Sequence, residues 1–445
     1  MSMETAAVFL AGIIGGIFSG IMPGVGGLVM MTLAYPLLIS LDPANILIFY
    51  ITLISIDQFF GGVTAITLAM PGSSMSVPTM IEGHEMFRKG QGDKAIMYSA
   101  IGSWFASVFS VLLIVCLLPL LFLAYGIWNT LVQSLFFGIA TVAVCMVSKN
   151  NMIINILLFC LGITLAKVGW HEDQGKMMYT MGLEVLETGL PMLSVLTSLF
   201  VVPMLATSYL KNKKPIQFKT MTFSGYVESF RQLWKYKATL FRSSLLGSIG
   251  GFVPGLAYAF SSMLAYSIER WIRVKKKIYK KGDVNCLIAS ESANNAGAFT
   301  QMVPLLFLGI PITASEALIY NILESRGMPV DIAWFSELFS QVVFYFLVSA
   351  SIGLVLAGKY VNLLSVLNNV KVSYVYLGIV TFLLLMNYIV GAQQFNAFNQ
   401  VMITVFLIPV GLLCISRDMT PLVFGFVLSE QLVDSFYRIY QLYLS

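Results

Sequence analysis

Long runs without a charged side chain alternate with short polar clusters along this chain. Uncharged apolar stretches cover residues 100–148, 188–210, 338–358 and 373–391. Each is long enough to cross the roughly 30 Å of bilayer hydrocarbon as a helix. The alternating segments of about ten residues that mark a membrane barrel are not visible. The pattern predicts an all-α polytopic membrane protein with roughly ten to twelve passes or half-passes, once interrupted segments are allowed for.

The interruptions are the second feature of the pattern. Residues 15–31, GGIFSGIMPGVGGLVMM, fall where a first transmembrane helix is expected, yet each interior Gly costs about 0.5–1 kcal/mol relative to Ala and Pro about 3. This stretch has a partner 231 residues on. That shift aligns Gly16 with Gly247, Gly20 with Gly251, Pro23 with Pro254, Gly24 with Gly255, and Leu33-Ala34-Tyr35 with Leu264-Ala265-Tyr266. A second echo, at a shift of 240, pairs LAMPGSS (Leu68 to Ser74) with LGIPITA (Leu308 to Ala314). The chain is therefore expected to hold two repeats, 1–208 and 242–445, joined by a polar linker over 209–241.

Charge gives the expected orientation. Of 26 Lys and Arg, eight lie between Lys211 and Arg242 and seven between Arg270 and Lys281. Basic residues beside membrane segments mark the cytoplasmic side, so both clusters are placed inside. In a chain with 58% hydrophobic and 11% charged residues, the basic runs do not point to nucleic acid. The 27 residues from Ser243 to Glu269 must leave the cytoplasm and return, too few for two full spans, so a re-entrant hairpin is expected near GGFVPGLAY. Counting passes from these anchors puts the N-terminus outside. The first repeat then starts outside and the second inside. That is the inverted-topology arrangement of many secondary transporters, whose sites form near the midplane where broken helices meet. The N-terminus, MSMETAAVFL, carries no Lys or Arg, so no cleaved signal peptide is expected. The five Cys are scattered singly and only two His are present, which leaves no histidine-based metal site or disulfide framework in view.

The residues at the breaks carry the candidate chemistry. A proline break can begin a half-helix whose free N–H groups and positive dipole end face an anion. The tips at Pro23, Gly24, Gly26 and Gly27, at Pro71, Gly72, Ser73 and Ser74, at Pro254 and Gly255, and at Pro311, Thr313 and Ser315 are the candidate substrate-binding groups. Hydroxyls there, Ser76 included, would add donors, and unwound carbonyls suit a sodium ion. Three acids stand in apolar surroundings: Asp57, Glu291 and Glu316. A charge at membrane depth costs at least about 2.5–3.5 kcal/mol, so such residues face a cavity or a partner, or lie at the interface. Glu291 with Asn294 and Asn295 sets an acid and two amides on one helix face, and Glu291 and Asp57 are the candidates for cation coupling. All Lys and Arg, with Lys167 at a segment edge, sit in expected loops. An anionic substrate would thus rely on helix ends and co-bound cations.

These residues resemble a known family, the large membrane subunit (TctA) of the tripartite tricarboxylate transporters. The resemblance runs over GGIFSGIMPGVGG, MPG, EGHEMFRKGQGDKA (82–95), LAKVGWHEDQGKMMYTMGLEVLETGLP (165–191), GGFVPG, ESANNAG and VPLLFLGIP (303–311). It implies uptake of citrate-like or other organic carboxylates into bacteria across the inner membrane, driven by Na+ or H+ with no other cofactor. It also implies a small membrane subunit and a periplasmic binding protein as partners. Wider kinship to the ion-transporter superfamily implies an elevator-type movement and a homodimer in membrane lipid. The chain departs from the family pattern at Asp57 and Gln58, at Ala257-Tyr258 in place of a second Gly pair, at Phe299-Thr300 in place of another, and at Pro311-Ile312-Thr313 in place of Pro-Gly-Ser. Transport of another small solute without a binding protein, a channel and a membrane enzyme are the alternatives; a two-His chain offers little to the last.

Overall fold

The computed structural model describes residues 2–22, 25–68, 74–126, 142, 145–146, 150–171, 176–203, 205–206, 228, 230–252, 257–327, 332–359, 372–393, 397–414, 417, 419–427 and 429. Helices dominate. In the first half they are α1 (Met3–Ile21), α2 (Gly27–Leu38), α3 (Pro43–Leu68), α4 (Val77–Arg88), α5 (Gly92–Gly126), α6 (Met152–Ala166) and α7 (Met192–Leu196), the last running into a π-helical turn at Thr197–Val201. In the second they are α8 (Lys237–Gly251), α9 (Ala257–Lys275), α10 (Val284–Thr300), α11 (Met302–Leu308), α12 (Ala314–Ser325), α13 (Ile332–Lys359), α14 (Val372–Gln393), α15 (Ala397–Leu413) and α16 (Thr420–Val427). One departure from all-α is a two-stranded antiparallel hairpin, Gly169–His171 with Lys176–Met178, in the loop GWHEDQGK.

Local signals set these ends. Ser2 caps α1, its hydroxyl accepting the Thr5 N–H at 3.0 Å. Asp42 caps α3 by accepting the Asn45 N–H at 3.0 Å, with Pro43 in the first position, where a missing N–H costs nothing. Among the described residues, four helices are long and apolar enough to cross a membrane: Met3–Ile21, Pro43–Thr67, Gly92–Leu123 and Leu338–Ala357. Shorter apolar helices cover Gly27–Leu38, Met152–Ala166, Leu377–Ile389 and Phe398–Leu413. Hydropathy does not reveal α10: it is rich in Ser, Asn and Ala, yet every residue from Cys286 to Thr300 is buried. It is a helix solvated by protein, packed closely through small side chains.

The glycines of residues 15–31 divide into two kinds. Gly16 and Gly20 lie inside the continuous helix α1, not at a tip. Their faces let α1 dock on α3: a side chain at Gly16 would come within 2.6 Å of the Leu53 carbonyl, and one at Gly20 within 2.8 Å of the Asp57 carbonyl and 2.9 Å of the Gly61 N. Their partners in the second half dock α8 on α10 in the same way. Gly247 faces the Ala293 carbonyl, and Gly251 faces the Gly297 carbonyl at 2.8 Å and the Gln301 N at 3.1 Å. The facing positions, 53 and 293, 57 and 297, 61 and 301, keep a constant separation of 240, while the glycines are separated by 231. The GxxxG docking and its register are thus repeated in the two halves.

The stretch Ser243–Glu269, where a hairpin is expected, holds most of α8 and α9, which lie on either side of residues 253–256 and pack on each other. They begin at Lys237 and end at Lys275, with 15 and 19 residues or about 22 and 28 Å. They outgrow the stretch between the basic clusters because both helices continue into those clusters. The main core lies around α3, where Tyr50 and Ile46 join Phe299 of α10, which packs on Phe346 of α13 at 4.9 Å between ring centres. At the far end of the chain α16 docks on α6, with Gly162 against the Leu422 carbonyl and Gly425 against the Phe159 carbonyl.

Candidate functional site

Helices α3, α4, α5 and α10 meet around the Glu291 carboxylate. The residue is 1% exposed. It accepts hydrogen bonds from the Thr79 hydroxyl of α4, from Ser103 of α5 at 3.1 Å, and from Ser99 one turn earlier. Thr79 also meets Ser290 at 3.1 Å. Gly62 of α3 makes room: a side chain there would stand 3.1 Å from one carboxylate oxygen and 3.0 Å from the Ser99 hydroxyl. None of the ion pairs among the described residues involves Glu291. Among the described residues its oxygens are met by hydroxyl groups, an oxygen-rich setting that a hard cation or a proton can enter.

The two amides continue this face. Asn295 donates to Ser103 at 2.7 Å and to the Glu291 carbonyl at 3.2 Å. Asn294 donates to the side-chain carbonyl of Gln58 on α3, and Gln58 reaches the Met75 sulfur at 3.9 Å in the turn Ser74–Ser76. Ser262 of α9 holds the Met75 carbonyl at 3.0 Å. The break before α4 is therefore tied to both halves. Asn294 Oδ1, both amide atoms of Gln301 and the Ser55 hydroxyl are buried without a hydrogen-bond partner among the described residues. Such a group costs about 1–3 kcal/mol when left unpaired.

The other sequence candidates separate. Asp57 accepts a hydrogen bond from Ser19 of α1. Gly26 is the extended N-cap of α2, and Gly27 is its first residue. Pro23, Gly24, Pro71, Gly72, Ser73, Pro254 and Gly255 lie outside the described residues. Ser74 opens the turn into α4, where Ser76 is the N-cap and makes no side-chain capping bond.

At the second break, the helix end differs from the free donors expected of it. Thr313, not Pro311, caps α12, and Glu316 reaches back so that its Oε2 accepts the N–H groups of Ile312 at 2.9 Å and Thr313 at 3.1 Å. The Thr313 hydroxyl accepts the Glu316 N–H at 3.2 Å, and Tyr50 of α3 donates to Glu316 Oε1 at 3.3 Å. Ser315 is buried in the first turn. The N–H groups of Ile312, Thr313 and Glu316 are thus bonded within the chain.

Sequence reasoning passed over several groups. Thr79 carried no local signal, whereas Ser99, Ser103 and Ser107, spaced by four in an apolar helix, form a readable polar stripe. Glu82, at the head of the segment EGHEMFRKGQGDKA, is fully buried. It accepts Tyr266 at 3.1 Å, Tyr279 at 2.8 Å, and the N–H groups of Gly282 at 2.7 Å and Asp283 at 3.0 Å. Asp283 in turn caps α10 and holds Arg273 at 2.9 Å. This clasp fixes the start of the helix that carries Glu291. Burial, then the bond to Glu82, pushes the Tyr279 hydroxyl up to about 12.

Comparison with known proteins gives a family and two relatives. The family described as "Tripartite tricarboxylate transporter TctA family" matches residues 7–423. The "Uncharacterized 52.8 kDa protein in TAR-I ttuC' 3'region" of Agrobacterium vitis is 28% identical over 325 residues, which cover 71% of this chain and 63% of that protein. The "Uncharacterized protein in TAR-II ttuC' 3'region" of the same organism is 35% identical over 82 residues, 18% of this chain and 34% of that protein. The matched part spans less than two thirds of either relative. No solved structure matches.

Proposed function

We propose, since the chain belongs to the tripartite tricarboxylate transporter TctA family, that it is the permease subunit of a cation-coupled secondary transporter importing a small organic carboxylate. The observation that carries this reading is the Glu291 cluster, a buried carboxylate ringed by Thr79, Ser99 and Ser103 at the junction of four helices from both halves. In this reading Glu291 takes Na+ or H+, and the substrate lies beside it between the breaks. Gly26, Gly27, Ser73 and Ser74 line the first side. Asn294 and Asn295 lie between, and Pro254, Gly255, Pro311, Thr313 and Ser315 line the second. Asp57, held by Ser19, is a second titrating or cation-binding group.

The repeated glycine docking supports two inverted repeats, 1–208 and 242–445, around a linker over 209–241. Alternating access of the elevator type then moves the site across a bacterial inner membrane, with the N-terminus outside. A binding protein delivers the substrate, a small membrane subunit sits alongside, and the assembly is a homodimer in lipid.

Reconstituted vesicles test the reading. An inward Na+ or H+ gradient is expected to drive accumulation of a labelled di- or tricarboxylate, and Glu291→Gln is expected to lower it at least a hundredfold while leaving the protein folded. Gradient-independent flux, or full activity in Glu291→Gln, would overturn the assignment of Glu291.

A further inference from the structure

Residues 270–281, RWIRVKKKIYKK, close α9 and lead into α10 with seven Lys and Arg in twelve positions. Two of the seven are used inside the fold. Arg273 pairs with Asp283 at 2.9 Å, and Arg270 lies over the Tyr279 ring at 5.1 Å. The other five, Lys275, Lys276, Lys277, Lys280 and Lys281, are exposed, and none of the ion pairs among the described residues involves them. The acids that touch this turn or the helices beside it are engaged elsewhere. Glu82 accepts two tyrosines and two N–H groups, Glu85 faces Arg88 and Lys89, Glu269 holds Arg242, and Asp283 holds Arg273. Among the described residues, five positive charges are left facing outward.

The same turn exposes apolar groups. Trp271 is 61%, Val274 53% and Ile278 46% exposed. Trp271 and Val274 continue the side of α9 that carries exposed Met263 and Leu264 two turns earlier. Lys275 sets its ammonium over the Trp271 ring at 4.9 Å. An apolar stripe that runs into an indole and then into lysines matches the order of environments from bilayer hydrocarbon to headgroups. Nucleic acid or an acidic protein would match the charge but not the stripe.

The backbone supplies an independent observation. The Ile278 N–H reaches back to the Arg273 carbonyl at 3.0 Å, the closing bond of a Schellman turn, and Lys277 just before it has φ 57°. Helices α4 and α11 end with the same bond, from Gln91 to Met86 and from Ile310 to Pro304. There the left-handed residue is a glycine, Gly90 at φ 74° and Gly309 at φ 67°. A side chain in this conformation is strained. At the end of α9 the chain keeps a lysine in the place of the glycine, so a charge is held at a conformational cost.

We propose that this turn is a binding site for anionic phospholipid, with headgroup phosphate among the five lysines and the glycerol and upper acyl region against Trp271 and Val274. Clusters of about four to eight Lys and Arg beside a membrane segment attract anionic lipid in this way. The inference rests on the membrane setting and not on the cargo.

The test places the full chain in phosphatidylcholine vesicles that carry a minor share of brominated phosphatidylglycerol or, in parallel, brominated phosphatidylcholine, in both leaflets. Bromine quenches indole on contact, and the Trp271 signal is the difference between each protein and its Trp271→Phe counterpart. Brominated phosphatidylglycerol is expected to quench that signal about threefold more than brominated phosphatidylcholine, and high salt to remove the preference by screening. Combined Lys→Gln substitution at 275, 276, 277, 280 and 281 is expected to make the two lipids equal. Lys277→Gly removes one charge and relieves the backbone, and is expected to weaken the preference without lowering the thermal unfolding midpoint. If the five-lysine variant fails to accumulate, the salt series and Lys277→Gly decide. Equal quenching by the two lipids in the unaltered chain, or a preference that salt and the accumulating lysine variants leave intact, overturns the inference and leaves the lysines as an orientation signal or a protein contact.

Discussion

Ser76 at the start of α4 and Glu316 in the first turn of α12 stand 240 positions apart, the separation that the residues facing the docking glycines keep, and the two helix starts are capped differently. Before α12, Thr313 and Glu316 bind each other's backbone and Tyr50 seals the outside. Before α4, Ser76 caps without a side-chain bond. The neighbouring polar groups there, Thr79, Gln58 and Asn294, are spent on bonds between the halves. The reciprocal cap satisfies the N–H groups of Thr313 and Glu316 in one turn. Before α4 one first-turn donor is missing altogether, because Pro78 has no N–H. The lesson is that a repeated backbone does not imply a repeated site, because one side chain of the right length decides whether a helix dipole is available.

Transplanting the closure should have the largest effect on this contrast. Ser76→Glu places a carboxylate where Glu316 stands in the other half, and carboxylate uptake in vesicles is expected to fall more than tenfold with membrane accumulation preserved. Undiminished uptake would show that the first helix end is not used.

The shared part of the comparison is sharpened by the docking glycines. Gly20→Ala presses a methyl onto the Phe60 Cβ and the Asp57 carbonyl, and Gly251→Ala presses one onto the Thr300 hydroxyl and the Gly297 carbonyl. Overpacking of this kind costs about 1–3 kcal/mol. The two substitutions are expected to lower the thermal unfolding midpoint in detergent by similar amounts, while Gly378→Ala, with nothing within 4 Å, should not lower it. Unequal losses at Gly20 and Gly251 would break the equivalence of the two docks.

The smallest effect belongs to the clasp that has no counterpart described at the other break. Tyr279→Phe removes one of four donors to Glu82, a change of about 0.5–1.5 kcal/mol. Because the folded protein favours the protonated phenol, raised to about 12, the contribution is complete below the ordinary tyrosine value of about 10. It is lost as pH rises through about 12. Unfolding midpoints of the two proteins should therefore differ at pH 8 and converge in strong alkali.

What could be read in the sequence follows from how local each feature is. Glu291, Asn294 and Asn295 share a face by helical spacing alone, and the structure places all three in one buried cluster. The hydroxyls that meet them come from α4 and α5, which only tertiary packing brings near. The glycines at 16 and 20 looked like a weak helix because propensity counts the cost of Gly and not the approach of a second helix that Gly permits. The stretch Thr313-Ala-Ser-Glu316 carried a capping-box signature. It was masked by the expectation that an acid in apolar surroundings faces a cavity or the interface. The helix α10 escaped hydropathy because its solvent is the rest of the protein.

The bonds that join the halves, from Tyr50 to Glu316, from Thr79 to Glu291, from Asn294 to Gln58 and from Glu82 to the backbone at Gly282 and Asp283, are all noncovalent. None of them involves residues 207–227. Two separately synthesised polypeptides, severed within that interval, would still carry all the groups that make these bonds. The gene could accordingly be split there and its product recovered by co-expression.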